Sequence, residues 1–272
     1  MSVFFYSFEL VDMSDLKIMQ NVNKFPDGMI PLGAETFHFS CHSGVKCFTS
    51  CCKNVDMFLF PYDIIRLKNR LGLNSELFMR RYTRLSTGIH PYFPAVMLKL
   101  NDNPERSCPF LTETGCSVYA DRPSACRTYP LERAVDRTSD CGSRPDYYFL
   151  THHTYCLGHH EKPSYTHVQW VREQQLQEYN IQNDRWAELD TIFLTNPWRG
   201  EGSGGPRQQI AFMVCYNVDE FRVFVALHHI IEQFHISKKQ RKHIESDDVA
   251  LLQFGFEWLK FFLTTNSSLQ QR

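Results

Sequence analysis

No apolar stretch in this chain runs for more than a few residues, far short of the ~20 needed to cross a bilayer as a helix. Neither sign of charge dominates: 29 Lys and Arg stand against 30 Asp and Glu. No general affinity for polyanions follows, and a nucleic-acid partner is not expected. The opening MSVFFYSFELVDMSDL lacks a basic n-region and carries acids, which speaks against a secretory signal and for a cytoplasmic location. A glycine-rich phosphate loop, G-x-S-x-G and H-E-x-x-H are all missing, so the common nucleotide, acyl-transfer and zinc-peptidase chemistries have no foothold. The C-x3-C-x2-C run of radical S-adenosylmethionine enzymes is absent too, because Cys47-x3-Cys51 is followed at once by Cys52. Internal repeats are lacking, and low complexity is confined to Gly200–Pro206 and the polar tail Thr264–Arg272.

Cysteine, by contrast, is abundant. Ten occur in 272 residues, and nine of them lie between Cys41 and Cys156. Thiols used only as small core residues would be spread more evenly. In a reducing compartment disulfides rarely persist, so clustered cysteines there point to metal ligation or redox chemistry. An apolar fraction of 43% is that of an ordinary globular protein, so a core can form without a metal.

The first block, Cys41 to Cys52, is a C-x5-C-x3-C-C pattern. The second is Cys108-Pro109-Phe110-Leu111 followed by Gly115-Cys116-Ser117-Val118-Tyr119. The third runs from Asp121 through Cys126 to Pro130, and Cys156-Leu157-Gly158-His159 closes the set. Thiolates suit both zinc and iron–sulfur clusters, each metal taking four donors in a near-tetrahedral arrangement. Neighbouring side chains of an extended segment point to opposite sides, so Cys51 and Cys52 are disfavoured as ligands of one metal. Eight patterned thiols (Cys41, Cys47, Cys51, Cys52, Cys108, Cys116, Cys126 and Cys156) allow two sites or one polynuclear cluster. The spacings match no familiar zinc-finger or ferredoxin run, so they do not choose the metal. Because eight donors exceed the four of one structural zinc, an iron–sulfur centre is preferred over zinc.

Linked in this order, with Pro61-Tyr62-Asp63-Ile64-Ile65-Arg66-Leu67 between the first two blocks and D-R-P-x-x-C-R-x-Y-P-L as the third, the motifs resemble the YkgJ-family cysteine-cluster proteins. The likeness covers about Phe37 to His160. It implies a bacterial cytosolic protein whose cysteines chelate zinc or iron, mostly without an assigned reaction. Flagellin lysine N-methylases carry a similar cluster whose first block is also C-x5-C-x3-C-C. A cluster-dependent protein-modifying enzyme, with a protein substrate or partner, is therefore the alternative to a binding or redox module.

Other candidates are weaker. Arg122 and Arg127 bracket Cys126, and either pair with nearby acids or offset the negative charge of a thiolate-bound cofactor or an anionic substrate. His159 stands at ligand spacing from Cys156, although a hydrogen bond to a thiolate from outside the ligand set serves equally well. His152 and His153 read as surface or packing residues, His38 and His42, which flank Cys41, as solvated or as supporting a ligand from outside the ligand set, and His228 and His229 as non-ligands. Tyr62 and Asp63 suggest a substrate-facing pair, but helix capping accounts for Asp63. Cys215 reads as core, and Cys141, in Ser139-Asp140-Cys141-Gly142-Ser143, as a loop thiol.

The expected fold is mainly α with a few short strands, its metal-tied cysteine-rich loops packed on helices. A lead-in at 1–36, with a turn at Pro26-Asp27-Gly28, precedes a cysteine-cluster domain at 37–160 and a helical region at 161–272. Helices are expected from Pro61 to just before Gly72 and from an N-cap at Ser75, then at Val168–Tyr179, Arg185–Leu194, Gln208–Cys215, Val218–Phe234 and Ser246–Phe262. Strands are expected at Ala95–Leu100 and Ser117–Tyr119. The basic stretch Ser237–His243 reads as a solvated loop.

Overall fold

The computed structural model describes residues 30–135, 146–264 and 267–272. The turn expected at Pro26-Asp27-Gly28 and the loop thiol Cys141 lie outside the described residues. The chain forms two compact units. One comprises the described residues up to Cys51 together with those of Thr128–Gln174; the other comprises Cys52–Arg127 and Gln175–Arg272. The chain passes from one unit to the other between the adjacent Cys51 and Cys52, between Arg127 and Thr128 and between Gln174 and Gln175.

Among the described residues the helices are α1 (Pro61–Leu71), α2 (Ser75–Tyr82), α3 (Ser124–Thr128), α4 (His167–Glu173), α5 (Leu176–Leu194), α6 (Pro206–Tyr216), α7 (Val218–Leu227), α8 (Lys238–Ser246) and α9 (Asp248–Leu263). Strands are short and paired antiparallel, two by two. The fold is therefore mainly helical with a few short strands, as expected.

In the first unit Thr36–His38 pairs with Ser164–Thr166, and Leu131–Val135 with Asp146–Leu150. Its core is aromatic. Trp170 on α4 meets the rings of Phe37, Phe39 and Tyr165 at 5.8, 5.5 and 5.1 Å, and its indole N–H donates to the Thr128 carbonyl at 3.0 Å. α4 is started by a capping box in which Thr166 and Gln169 satisfy each other's backbone N–H groups.

The second unit is a helix assembly around α9. That helix reads DVALLQFGFEWLKFFL, apolar on nearly every side, as befits a helix buried all round. α1, α5, α6, α7 and α8 all pack on it. A Cβ at Gly255 would lie 2.6 Å from Val214 and 2.7 Å from Phe221, so only glycine permits this approach of α6 and α7. α1 starts with proline and ends at Gly72 in the left-handed region, φ 63°, as its sequence demands. The buried Lys68 on α1 is paired with Asp219 at 3.2 Å and Asp248 at 2.8 Å. The strand expected at Ala95–Leu100 is present as Ala95–Leu98, paired with Thr83–Ser86.

Several expectations are corrected. Asn74, not Ser75, caps α2; Ser75 is instead buried, its hydroxyl and N–H both donating to Asp219. Ser117–Tyr119 is no strand: the hairpin pairs Leu111–Thr112 with Gly115–Cys116, and Tyr119 opens a tight helical turn. The helix read over Val168–Tyr179 breaks at Gln174-Gln175, where Gln175 takes φ 52°. That over Val218–Phe234 ends at Leu227, with His229 at φ 49°. The basic stretch from Ser237 is helical as α8, because Ser237 and Gln240 form a capping box. Its one buried residue, Ile244, is too little periodicity to betray a helix in the sequence.

Candidate metal centre

In the first unit the loop after Thr36–His38 carries Cys41, Cys47 and Cys51. Phe39 anchors it, its ring against Tyr129, His159 and Trp170 at 5.5, 5.3 and 5.5 Å. The Ser40 N–H donates to the Gly158 carbonyl at 3.0 Å. A Cβ on Gly158 would lie 2.8 Å from both the Phe39 ring and the Ser40 carbonyl, so the glycine of the C-x-G-H motif lets the Cys156 loop close on the Cys41 loop. Successive tight turns, Val45 to His42, Phe48 to Val45 and Ser50 to Cys47, coil the chain through the first block. Thr49 within it is held at φ 66°. For a β-branched residue this is strained by about 1–3 kcal/mol, and such strain gathers at functional loops.

Hydrogen bonds reach the sulfurs directly. The Leu157 N–H donates to Cys47 Sγ at 3.1 Å, and the Tyr129 hydroxyl donates to Cys156. Burial, then that bond, then the charges of Cys156, Tyr155 and Cys51 push the Tyr129 hydroxyl well above its ordinary pKa. The Leu157 amide thus serves Cys47, the Tyr129 hydroxyl serves Cys156, and the charge of Cys51 reaches Tyr129 as well. Neither group stood out in the sequence, although Tyr129 lies in the third motif.

The flanking histidines serve this scaffold. His42 Nδ1 accepts from the Gly44 N–H at 3.1 Å and its Nε2 lies 3.5 Å from Glu161, while His38 Nδ1 meets the Lys162 carbonyl at 3.1 Å. His153 stacks on Tyr129 and on Tyr155. His159 Nε2 lies 3.4 Å from the Tyr129 hydroxyl, one step removed from Cys156. Burial, followed by the neighbouring His152 and His160, keeps the His159 imidazole below its ordinary pKa.

The second unit holds Cys52, Cys108, Cys116 and Cys126. The Cys108 N–H donates to the Cys52 carbonyl at 2.7 Å, beside the antiparallel bridge of Lys53 and Ser107. Cys108 then turns through Pro109, its carbonyl accepting from Leu111, into the hairpin that sets Cys116 opposite Leu111. Cys126 lies on α3 and directs its Sγ at Met57 Sδ, 3.9 Å away. Burial lowers the Arg122 pKa, while the neighbouring Tyr119, Cys126 and Cys116 act to raise it. Its guanidinium lies 3.9 Å over the Tyr119 ring and donates to the Tyr119 carbonyl at 2.7 Å. Arg127 turns the other way, donating to the Ala120 carbonyl and resting 4.8 Å over the Tyr179 ring.

Asp63 is wholly buried. As expected it caps α1, accepting from the Phe60 N–H at 3.0 Å. It also accepts from the Ser124 N–H at 2.8 Å and the Ser124 hydroxyl at 3.2 Å, a tie of 61 residues that the sequence did not suggest.

The nine described cysteines are all present as thiols. Cys215 is buried in α6, as expected, and burial pushes its thiol well up. The eight patterned thiols are exposed or half-buried and lie on loops, hairpin ends and short helical turns. Among the described residues no three His, Cys, Asp or Glu side chains are already gathered to hold a metal. The donor chemistry fits zinc or iron, since accessible thiols approached by N–H and O–H donors favour the thiolate that ligates. A metal would have to draw these loops in.

A family model described as CxxCxxCC, "putative zinc- or iron-chelating domain", matches residues 40–184. The chain belongs to this family. The match takes in all eight patterned cysteines and leaves out Cys215. No curated protein and no solved structure matches the chain. Zinc or iron chelation, the chemistry by which the CxxCxxCC family is described, agrees with the thiol-rich donor set. Among the described residues no helix is long and apolar enough to cross a membrane.

Proposed function

We propose that the chain is a metal-binding module, for binding or redox use, in which eight cysteines act as two sets of four. One set is Cys41, Cys47, Cys51 and Cys156; the other is Cys52, Cys108, Cys116 and Cys126. The observation that carries the reading is the division into two units, which parts Cys51 from Cys52, returns Cys156 to the first unit and so leaves four patterned thiols in each. Four thiolates are the donor number that a structural zinc or an iron–sulfur cluster takes. Iron–sulfur is preferred, because Arg122 places positive charge beside Cys116 and Cys126, and the Leu157 and Tyr129 donors reach sulfurs of the other set. Such hydrogen bonds and charges are what tune an anionic cluster. When bound, an iron–sulfur cluster would supply one-electron chemistry, and zinc would supply none.

Anaerobic purification with metal and sulfide analysis tests this. The expected result is iron and acid-labile sulfide in similar amounts, with broad absorption that bleaches with dithionite. Cys51→Ser and Cys52→Ser should each remove about half of that absorption, and the double variant nearly all, given four ligands per set. Full zinc occupancy without iron or sulfide would overturn the choice of metal. Complete loss in either single variant would overturn the two-set division.

A further inference from the structure

We propose that Asp63 is a positioning residue for the Cys126 sulfur, fixing the short helix that carries it. The proposal rests on the reading of Cys52, Cys108, Cys116 and Cys126 as one ligand set. α3 has only five residues, Ser124–Thr128. Isolated helices this short do not hold themselves, so something else must set where Cys126 points.

Asp63 does so from a rigid base. It lies in the first turn of α1, whose Ile64, Ile65 and Leu67 are sunk in the core. One carboxylate oxygen accepts from the Phe60 N–H and the Ser124 hydroxyl, and the other accepts from the Ser124 N–H. The first turns of two helices are thereby clamped to one fully buried side chain. Arg127, next to Cys126, closes the other side through the Ala120 carbonyl and the Tyr179 ring. Between these holds the Cys126 sulfur is left at Met57 Sδ, 3.9 Å away. Met57 belongs to the unit's core and is itself buried. A cysteine on a five-residue helix thus inherits the placement of α1, and the P-Y-D-I-I-R-L segment belongs with the cysteines for this reason.

The full-length chain, stripped by chelator under reductant and reloaded with zinc alone, provides the test. Alkylation of each thiol is followed by mass spectrometry while a competing chelator is titrated in. In the parent chain, zinc should protect Cys126 together with Cys52, Cys108 and Cys116. In Asp63→Asn the set should release zinc at roughly 10-fold lower chelator, in keeping with the effect of losing a residue that orients a ligand. Cys126 should be alkylated first, and protection of Cys41, Cys47, Cys51 and Cys156 should be unchanged. A merely structural role would instead expose all eight thiols together as the chain loosens, and that result overturns the proposal. So does protection of Cys126 equal to that of the parent. If zinc fails to protect Cys126 even in the parent, the ligand-set reading itself has failed. Should Asp63→Asn not fold, Ser124→Gly removes the hydroxyl bond while leaving Asp63 in place. It should show the same order of alkylation with a smaller shift, and an unshifted titration overturns the proposal.

Discussion

Asp63 concentrates two jobs in one side chain, and its titration reports on the first of them. Burial pushes its carboxyl up to about 6, against the pull of the Phe60 and Ser124 bonds and the Arg127 charge. In the unfolded chain it titrates at the ordinary value of about 3.8. Between those values the folded state holds a proton that the unfolded state has released, so this group's contribution to stability falls as pH rises through the window. Two units correspond to about 3 kcal/mol. Asp219 and Asp248 work in the opposite sense: burial raises them, but Ser75 and Lys68 in one case and Lys68 and Arg222 in the other hold them below the ordinary value. They are common to the parent and Asp63→Asn, and cancel in the difference. The stability of the parent minus that of Asp63→Asn, from urea unfolding of the reduced chain, should therefore fall by about 2 kcal/mol between pH 4 and 7. A difference independent of pH would show that Asp63 is not buried as a strained carboxylate.

At the scale of elements, α9 organises the second unit, and its tightest point is Gly255. Alanine there would put its Cβ into Val214 and Phe221 at under 3 Å. α6 or α7 would have to move, although alanine is the better helix former by about 1 kcal/mol. Overpacking should win: Gly255→Ala is expected to destabilise the chain by about 1–3 kcal/mol in urea unfolding, and a gain in stability would mean that α6 and α7 yield freely. Elements also show where the sequence was readable. α1 was legible from Pro61 and Gly72, because both ends carry residues with one strong local meaning. α6 and α9 were legible from their apolar content. The break at Gln174-Gln175 was not, since glutamine with φ 52° has no sequence signature. α8 was missed because its charges hid the Ser237 and Gln240 capping box.

For the whole molecule, the question is what the metal holds. The second unit has a large apolar core, from Met57 through Leu263, that needs no ligand to form. Ligands drawn from separate loops would make metal binding partly folding energy for those loops. Chelating the metal from the reduced protein should therefore raise hydrogen exchange mainly in the cysteine-bearing loops between Phe37 and His160, leaving α1, α6, α7 and α9 largely protected. Uniform loss of protection along the chain would argue against metal-tied loops on a self-sufficient helical core.

The sequence alone determined the donor chemistry, the family and the mainly helical class. Thiol spacing, apolar periodicity and end-capping residues act locally and can be read from neighbours in the chain. It also marked Cys215 as core, from the apolar residues around it. Only the tertiary structure divided the patterned thiols between two units at Cys51 and Cys52. Only it brought the Tyr129 hydroxyl to Cys156, the Leu157 amide to Cys47 and Asp63 to Ser124. Those contacts join residues 27, 110 and 61 positions apart, and such pairings are set by how loops close over a core, which no local pattern encodes.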